Sequence, residues 1–213
     1  MSVKNFENNR WTNINQKGFF RHSSILGLVK EKNVLDIGCG DGLLLIALRE
    51  KGVKGVGVDV SDVAIKKCRE KGLEAVLMDV NDSHIPFPDK FFDLVILSDV
   101  LEHLYDPSSL LQEAKRLSGK ILISVPNFNS LPARLQMLFG KIPENNGPNK
   151  GHVYWFNYSV LKNMLEKSGF KIETIETNTF LEKVPAIGII MKMLKIYFPS
   201  LFALSYVVKA KSL

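Results

Sequence analysis

From residue 33 to residue 125, short apolar runs alternate with stretches in which apolar residues recur every three or four positions. The first pattern predicts strands and the second predicts amphipathic helices. Val34–Ile37, Gly55–Asp59, Ala75–Met78, Phe92–Ser98 and Lys120–Val125 read as strands, the last stopped by Pro126. Leu43–Glu50 reads as a helix closing at Gly52. Asp62–Lys71 reads as a helix capped by Ser61 or Asp62 with Gly72 just past its end, and Pro107–Leu117 as a third. The runs at 92–98 and 120–125 are apolar nearly throughout, the pattern of strands covered on both faces. Strand–helix alternation of this kind predicts a parallel sheet with helices wound on both sides.

The rhythm breaks after Pro126. Leu131–Phe139 predicts a short helix, and the following KIPENNGPNKG is too long and turn-rich for a plain connection, so residues 126–157 read as a lid or substrate-binding insertion. A helix over Ser159–Ser168 ends at Gly169. Strands follow at Phe170–Thr177 and Ala203–Lys209, with an amphipathic stretch between them that places Ile187, Ile190, Met191 and Leu194 on one face. The expected organisation is a single domain over 1–213: a helical segment 1–32, a core 33–125, the insertion 126–157, and a closing helix and strands 158–213.

Composition narrows this picture little. Hydrophobic residues make up 46% and charged residues 23%, which suits a packed globular core. The net charge of +6 is spread among acids without a dense basic block interleaved with aromatics, so no nucleic acid is expected as partner. Two cysteines, Cys39 and Cys68, give neither a disulfide framework nor a metal-binding spacing, which suits the cytoplasm. The first residues lack a signal-peptide pattern. The most apolar tract, 184–208, is interrupted by Lys192, Lys195 and Pro199, so no membrane span is expected.

The chemistry concentrates in VLDIGCGDG, where Gly38, Gly40 and Gly42 follow a strand and lead into a helix. Bare backbone at such a point lets a ligand approach the helix N-terminus. A dinucleotide fingerprint would need glycine at position 43, where this chain has Leu43. Asp59 ends the second strand, where an open parallel sheet presents an acid to a ribose diol. The pattern therefore predicts a nucleoside without a diphosphate.

VLDIGCGDG, GVDVS, the acid Asp79 after the third strand and FDLVILSDVLEHLYDP together resemble the class I S-adenosylmethionine-dependent methyltransferases. The resemblance implies a Rossmann-like, doubly wound α/β fold: a mostly parallel seven-stranded sheet with an antiparallel last strand and a lid insertion. It implies S-adenosyl-L-methionine as cofactor, its methionine end cradled by Asp36, Gly38, Cys39 and Gly40. Asp59 and Val60 would hold the ribose and Asp79 and Val80 the adenine, while Ser98 and Asp99 would line the open side.

SVPNFNSLPARLQMLFGKIP resembles the MetW-like branch. GHVYWFNYSVLKNMLEKSGF is similar to the ending of small-molecule and glycan methyltransferases, ubiquinone-pathway O-methyltransferases included. The implied function is methyl transfer, foremost to oxygen, on a small molecule or a glycan or lipid precursor. The alternatives are a MetW-like accessory protein with weak or no catalysis and, behind it, a metal-dependent RNA 2′-O-methyltransferase. His103, starting the helix after the fourth strand, and His152, facing it across the transferred methyl, are the candidate catalytic residues, with packing as the alternative role. Asp99, Glu102 and His103 would share one helical face and are similar to an E-x-x-E-H metal motif, but no metal is assigned. His22 and His84 read as surface or hinge residues. Residues 185–202 read as a packed helix, with peripheral membrane contact as the alternative.

Overall fold

The computed structural model describes residues 3–13, 20–81, 84–143, 147, 150–180, 184 and 187–213. The chain runs α1 (Val3–Asn13), α2 (Phe20–Leu28), β1 (Asn33–Ile37), α3 (Leu43–Glu50), β2 (Lys54–Asp59), α4 (Asp62–Glu70), β3 (Glu74–Leu77) and β4 (Leu94–Ser98). A 3₁₀ turn, Leu101–His103, leads to α5 (Pro107–Leu117), β5 (Lys120–Pro126), α6 (Leu131–Leu138), α7 (Tyr158–Lys167), β6 (Phe170–Thr179), α8 (Ile187–Tyr197), α9 (Pro199–Phe202) and β7 (Ala203–Ser212). The strands form one sheet in the order β3-β2-β1-β4-β5-β7-β6. β7 is antiparallel to both its neighbours, and the pairs from β3 to β5 are parallel.

The two-residue period of the strands sorts the core into two layers. Val95 and Leu97 of β4, with Ile121, Ile123 and Val125 of β5, pack with Leu110, Leu111 and Ala114 of α5 and Leu161 and Leu165 of α7. Leu94, Ile96 and Leu122 face the other way, onto Ile25 of α2 and Leu44 and Leu48 of α3. Helix starts follow local chemistry. Asp106 accepts from the amides of Ser108 and Ser109 ahead of Pro107, and Ser61, not Asp62, caps α4 by accepting from Ala64.

Several boundaries differ from the expectation. β5 runs through Pro126, which pairs with Ser205, because the partner strand β7 starts at Ala203 and so still lies opposite it. β7 extends beyond Lys209 to Ser212, since it is hydrogen-bonded on both edges. β4 starts at Leu94: the Asp93 carboxylate is turned toward the amides of Lys32 and of Asn33, the first residue of β1. In the expected insertion, residues 144–146, 148 and 149 lie outside the described residues, as do Pro185 and Ala186 of the 185–202 tract.

Candidate functional site

β1, β2 and β4 end side by side, and their carboxyl ends open into a cavity of about 230 Å³. Its walls include all twelve residues singled out from the sequence: Asp36, Gly38, Cys39, Gly40, Asp59, Val60, Asp79, Val80, Ser98, Asp99, His103 and His152. Parallel strands align their C-termini in register, which gathers motifs scattered over more than 100 residues.

Gly38, Gly40 and Gly42 all take left-handed backbone, with φ of 74°, 54° and 81°. A Cβ on Gly38 would fall 2.4 Å from Val100, and one on Gly40 would fall 2.2 Å from the Trp11 ring. The space beside Gly40 is therefore taken by an aromatic ring from α1. Asp59 is held rigidly: one carboxylate oxygen accepts from Gly40 N at 2.9 Å and the other from Ser61 N at 2.8 Å. Each oxygen keeps a further lone pair for a ligand. Burial raises the Asp59 pKa against the lowering effect of those amides.

Asp36 is 1% exposed, and its Oδ1 has no hydrogen-bond partner. Burial, reinforced by the Asp59 charge, pushes its pKa up to about 8. A buried carboxylate edge on a cavity wall is a receptor for a cation or a hydrogen-bond donor.

On the opposite wall the backbone turns sharply. Asp99 adopts φ 56° and so breaks the helical face expected for Asp99, Glu102 and His103. Its carboxylate pairs with Arg21 at 2.5 Å and accepts from Ser124 Oγ at 3.0 Å, and Ser124 Oγ lies 3.1 Å from Ser98 Oγ. Glu102 is buried, its Oε2 is without a partner, and burial followed by the Asp99 charge raises its pKa well above the ordinary value.

His103 ends the 3₁₀ turn and does not start a helix. Its Nδ1 lies 3.2 Å from the Gly151 carbonyl, which can only accept, so Nδ1 carries the proton and Nε2 keeps its lone pair. Burial, with the neighbouring His152 and Arg10, lowers its pKa to about 4, so the ring is neutral at pH 7. The His103 and His152 rings meet edge to face with centroids 5.0 Å apart. They touch each other, leaving no room for a methyl group between them. One donor atom from each of Glu102, His103 and His152 lies within 4.8 Å of the others, a grouping able to hold a metal ion, whereas Asp99 is committed to Arg21 and Ser124. The segment that carries His152 is fastened down: Val153 and Tyr154 N–H groups both donate to Glu102 O, and Phe156 is buried.

Glu7, Arg10 and Trp11 of α1 and Arg21 and His22 of α2 also line the cavity, and sequence reasoning missed them. His22 is thus a wall residue, where a surface or hinge position was expected; burial lowers its pKa. The signal available was the pair of large aromatics, Phe6 and Trp11, in the otherwise polar run NFENNRW. His84 lies outside the cavity, beside Glu113 at 3.3 Å.

The family model described as "Methionine biosynthesis protein MetW" matches residues 21–174. Among curated proteins, the ubiquinone biosynthesis O-methyltransferase of Nitrosomonas europaea is 31% identical over 113 residues, covering 49% of this chain and 48% of that one. The enzyme of the same name from Chromobacterium violaceum is 30% identical over 166 residues, covering 73% and 69%. The chain thus spans about half the length of the first of these relatives. A solved S-adenosylmethionine-dependent methyltransferase from Archaeoglobus fulgidus superposes with a TM-score of 0.64 at 28% identity, covering 89% of this chain and 90% of that one.

Proposed function

The chain belongs to the family of the methionine biosynthesis protein MetW, within the class I S-adenosylmethionine-dependent methyltransferases, and on that premise we propose that it methylates an oxygen of a small molecule or a glycan or lipid precursor. The observation that carries the reading is the pair of carboxylates at adjacent strand ends, Asp36 with a free buried oxygen and Asp59 with both oxygens oriented by backbone amides.

These residues fit the cofactor. Asp36 Oδ1 would take the ammonium of its methionine end, Gly38 and Gly40 supply backbone without side chains, and Asp59 would accept from both ribose hydroxyls. Val80 and Asp79, whose carboxylate is held by the N–H and side-chain amide of Asn81, also line the cavity and would flank the adenine. When bound, the cofactor supplies a methyl group on a sulfonium, already a strong electrophile. The protein's part is then to bind, align and exclude water. His103 Nε2, unprotonated at pH 7, would accept the proton of an acceptor hydroxyl, with Glu102, whose pKa burial raises, beside it. Two free buried cysteines, Cys39 and Cys68, accord with the reducing cytoplasm as its place of work.

The test is transfer of a labelled methyl group into a metabolite extract. Replacing His103 with alanine is expected to lower turnover by about 10²–10⁴-fold with cofactor affinity nearly unchanged. Turnover abolished by chelator and restored by a divalent ion would give Glu102, His103 and His152 a metal-holding role instead. The MetW match favours a second reading, an accessory protein of methionine biosynthesis. That reading predicts cofactor binding without turnover and a stable complex with a biosynthetic enzyme.

A further inference from the structure

α8 is apolar on two sides. Met191, Leu194, Gly188 and the Lys195 stem turn inward, and the Lys195 ammonium bonds to Thr177 O on β6. The opposite side presents Ile189, Ile190, Met193, Ile196 and Tyr197 to solvent, with Ile196 and Tyr197 each 72% exposed. A helix with apolar residues on two sides calls for an apolar neighbour on each, and here one side has none. At the end of α6, Leu138 and Phe139 are 76% and 75% exposed. Both helices stand at the carboxyl end of β5. α6 follows it, and α9, next after α8, is tied there by the Asn127 side-chain amide, which donates to Ser200 O and Ala203 O. The cavity lies at this same end of the sheet, with Pro126, Lys150 and His152 in its wall. Trp155, in the segment just after His152, is also exposed and stands ring to ring with Phe128 at 6.0 Å.

Charge identifies the occupant. Residues 127–213 carry 11 of the 28 basic side chains but 5 of the 22 acidic ones, so the whole +6 excess lies there. Among the described residues of 127–143, 150–157 and 187–202, the charged side chains are Arg134, Lys141, Lys150, Lys192 and Lys195, with no Asp or Glu. With Lys195 turned in to β6, Arg134, Lys141, Lys150 and Lys192 are the cations on the segments that expose these aliphatic and aromatic side chains, a mixture that matches the headgroup zone of an anionic bilayer.

We propose that this end of the molecule docks on anionic lipid through α8 and α6, and that the methyl acceptor is an amphiphile presented to the cavity from the membrane. The second clause rests on the methyl-transfer reading, and the docking does not.

Flotation with vesicles tests it. The full chain is expected to float with vesicles containing about one third phosphatidylglycerol in phosphatidylethanolamine roughly tenfold more than with phosphatidylcholine vesicles, and to be released by high salt. Ile190→Asp with Ile196→Asp, and separately Leu138→Asp with Phe139→Ser, should abolish flotation. S-adenosylhomocysteine affinity, measured by calorimetry, should stay at the parent value and so certify the fold. Arg134→Glu with Lys141→Glu should weaken flotation without touching the apolar faces. Equal recovery with both lipids, no flotation, or a dimer in light scattering that the Ile190→Asp, Ile196→Asp protein loses would each overturn the proposal, the last by assigning the face to a second copy. Flotation in a protein that transfers no methyl group would leave docking standing and remove the methyl-transfer reading.

Discussion

On the proposed reading, Asp36 alone would answer the charge of the cofactor's ammonium. In the free protein its carboxyl, pushed up to about 8, holds a proton at pH 7 that an ordinary carboxyl at 3.8 would have lost. That shift stabilises the fold fully below about 3.8, and the contribution is lost as pH rises to about 8, because the unfolded chain ionises first. An ammonium placed at Oδ1 reverses the preference and drives ionisation. Calorimetry of cofactor binding in buffers of different ionisation enthalpy should therefore show release of about one proton at pH 7, with affinity rising toward pH 8. Asp36→Asn should bind more weakly and release none. Gly38 makes a different demand: a side chain there would meet Val100 and strain a left-handed backbone. Gly38→Val is expected to lower stability by about 1–2 kcal/mol and abolish cofactor binding, with chemical denaturation and calorimetry reading the two losses separately.

At the level of elements, α1 is the piece most dependent on the site. It is fastened by Asn8 to Ser61 Oγ at 2.7 Å, by Lys4 to Asp62 at 2.8 Å, and by the Trp11 ring lying on Gly40. These attachments join it to the cofactor loop and the start of α4, so α1 can leave while the sheet stays folded. Trp11→Ala should speed amide exchange over residues 3–13, leave the global melting temperature nearly unchanged and weaken cofactor binding by about tenfold. Unchanged affinity with exchange confined to α1 would make the helix a bystander.

For the molecule as a whole, one buried ion cluster joins distant parts of the chain. Glu31, just before β1, receives Lys120 of β5 and Lys209 of β7, each at 3.0 Å. Burial opposes its ionisation, but the Lys30 N–H and the two ammonium groups prevail and hold its pKa at about 2. Its contribution is present above the ordinary 4.5 and lost as pH falls toward 2. Glu31→Gln should lower stability by about 1.5–3 kcal/mol at pH 7 and flatten the fall of the melting temperature between pH 4.5 and 2.

Periodicity alone determined the strand and helix sequence from Val34 to Val125, because buried strands and amphipathic helices leave their period in the chain. The glycine loop and the acids at strand ends were legible for the same reason: each is a local backbone requirement. The sequence could not show that Trp11 covers Gly40, that Arg21 takes the Asp99 carboxylate, or that His103 and His152 touch. Those contacts bring together residues tens of positions apart whose side chains are ambiguous alone. Nor could it tell which side of α8 packs. Its two lysines mark no polar face, so only docking against β6 decided that Met191 and Leu194 of the expected face would turn inward while Ile187 and Ile190 of that same face, with Ile196 and Tyr197, would be exposed.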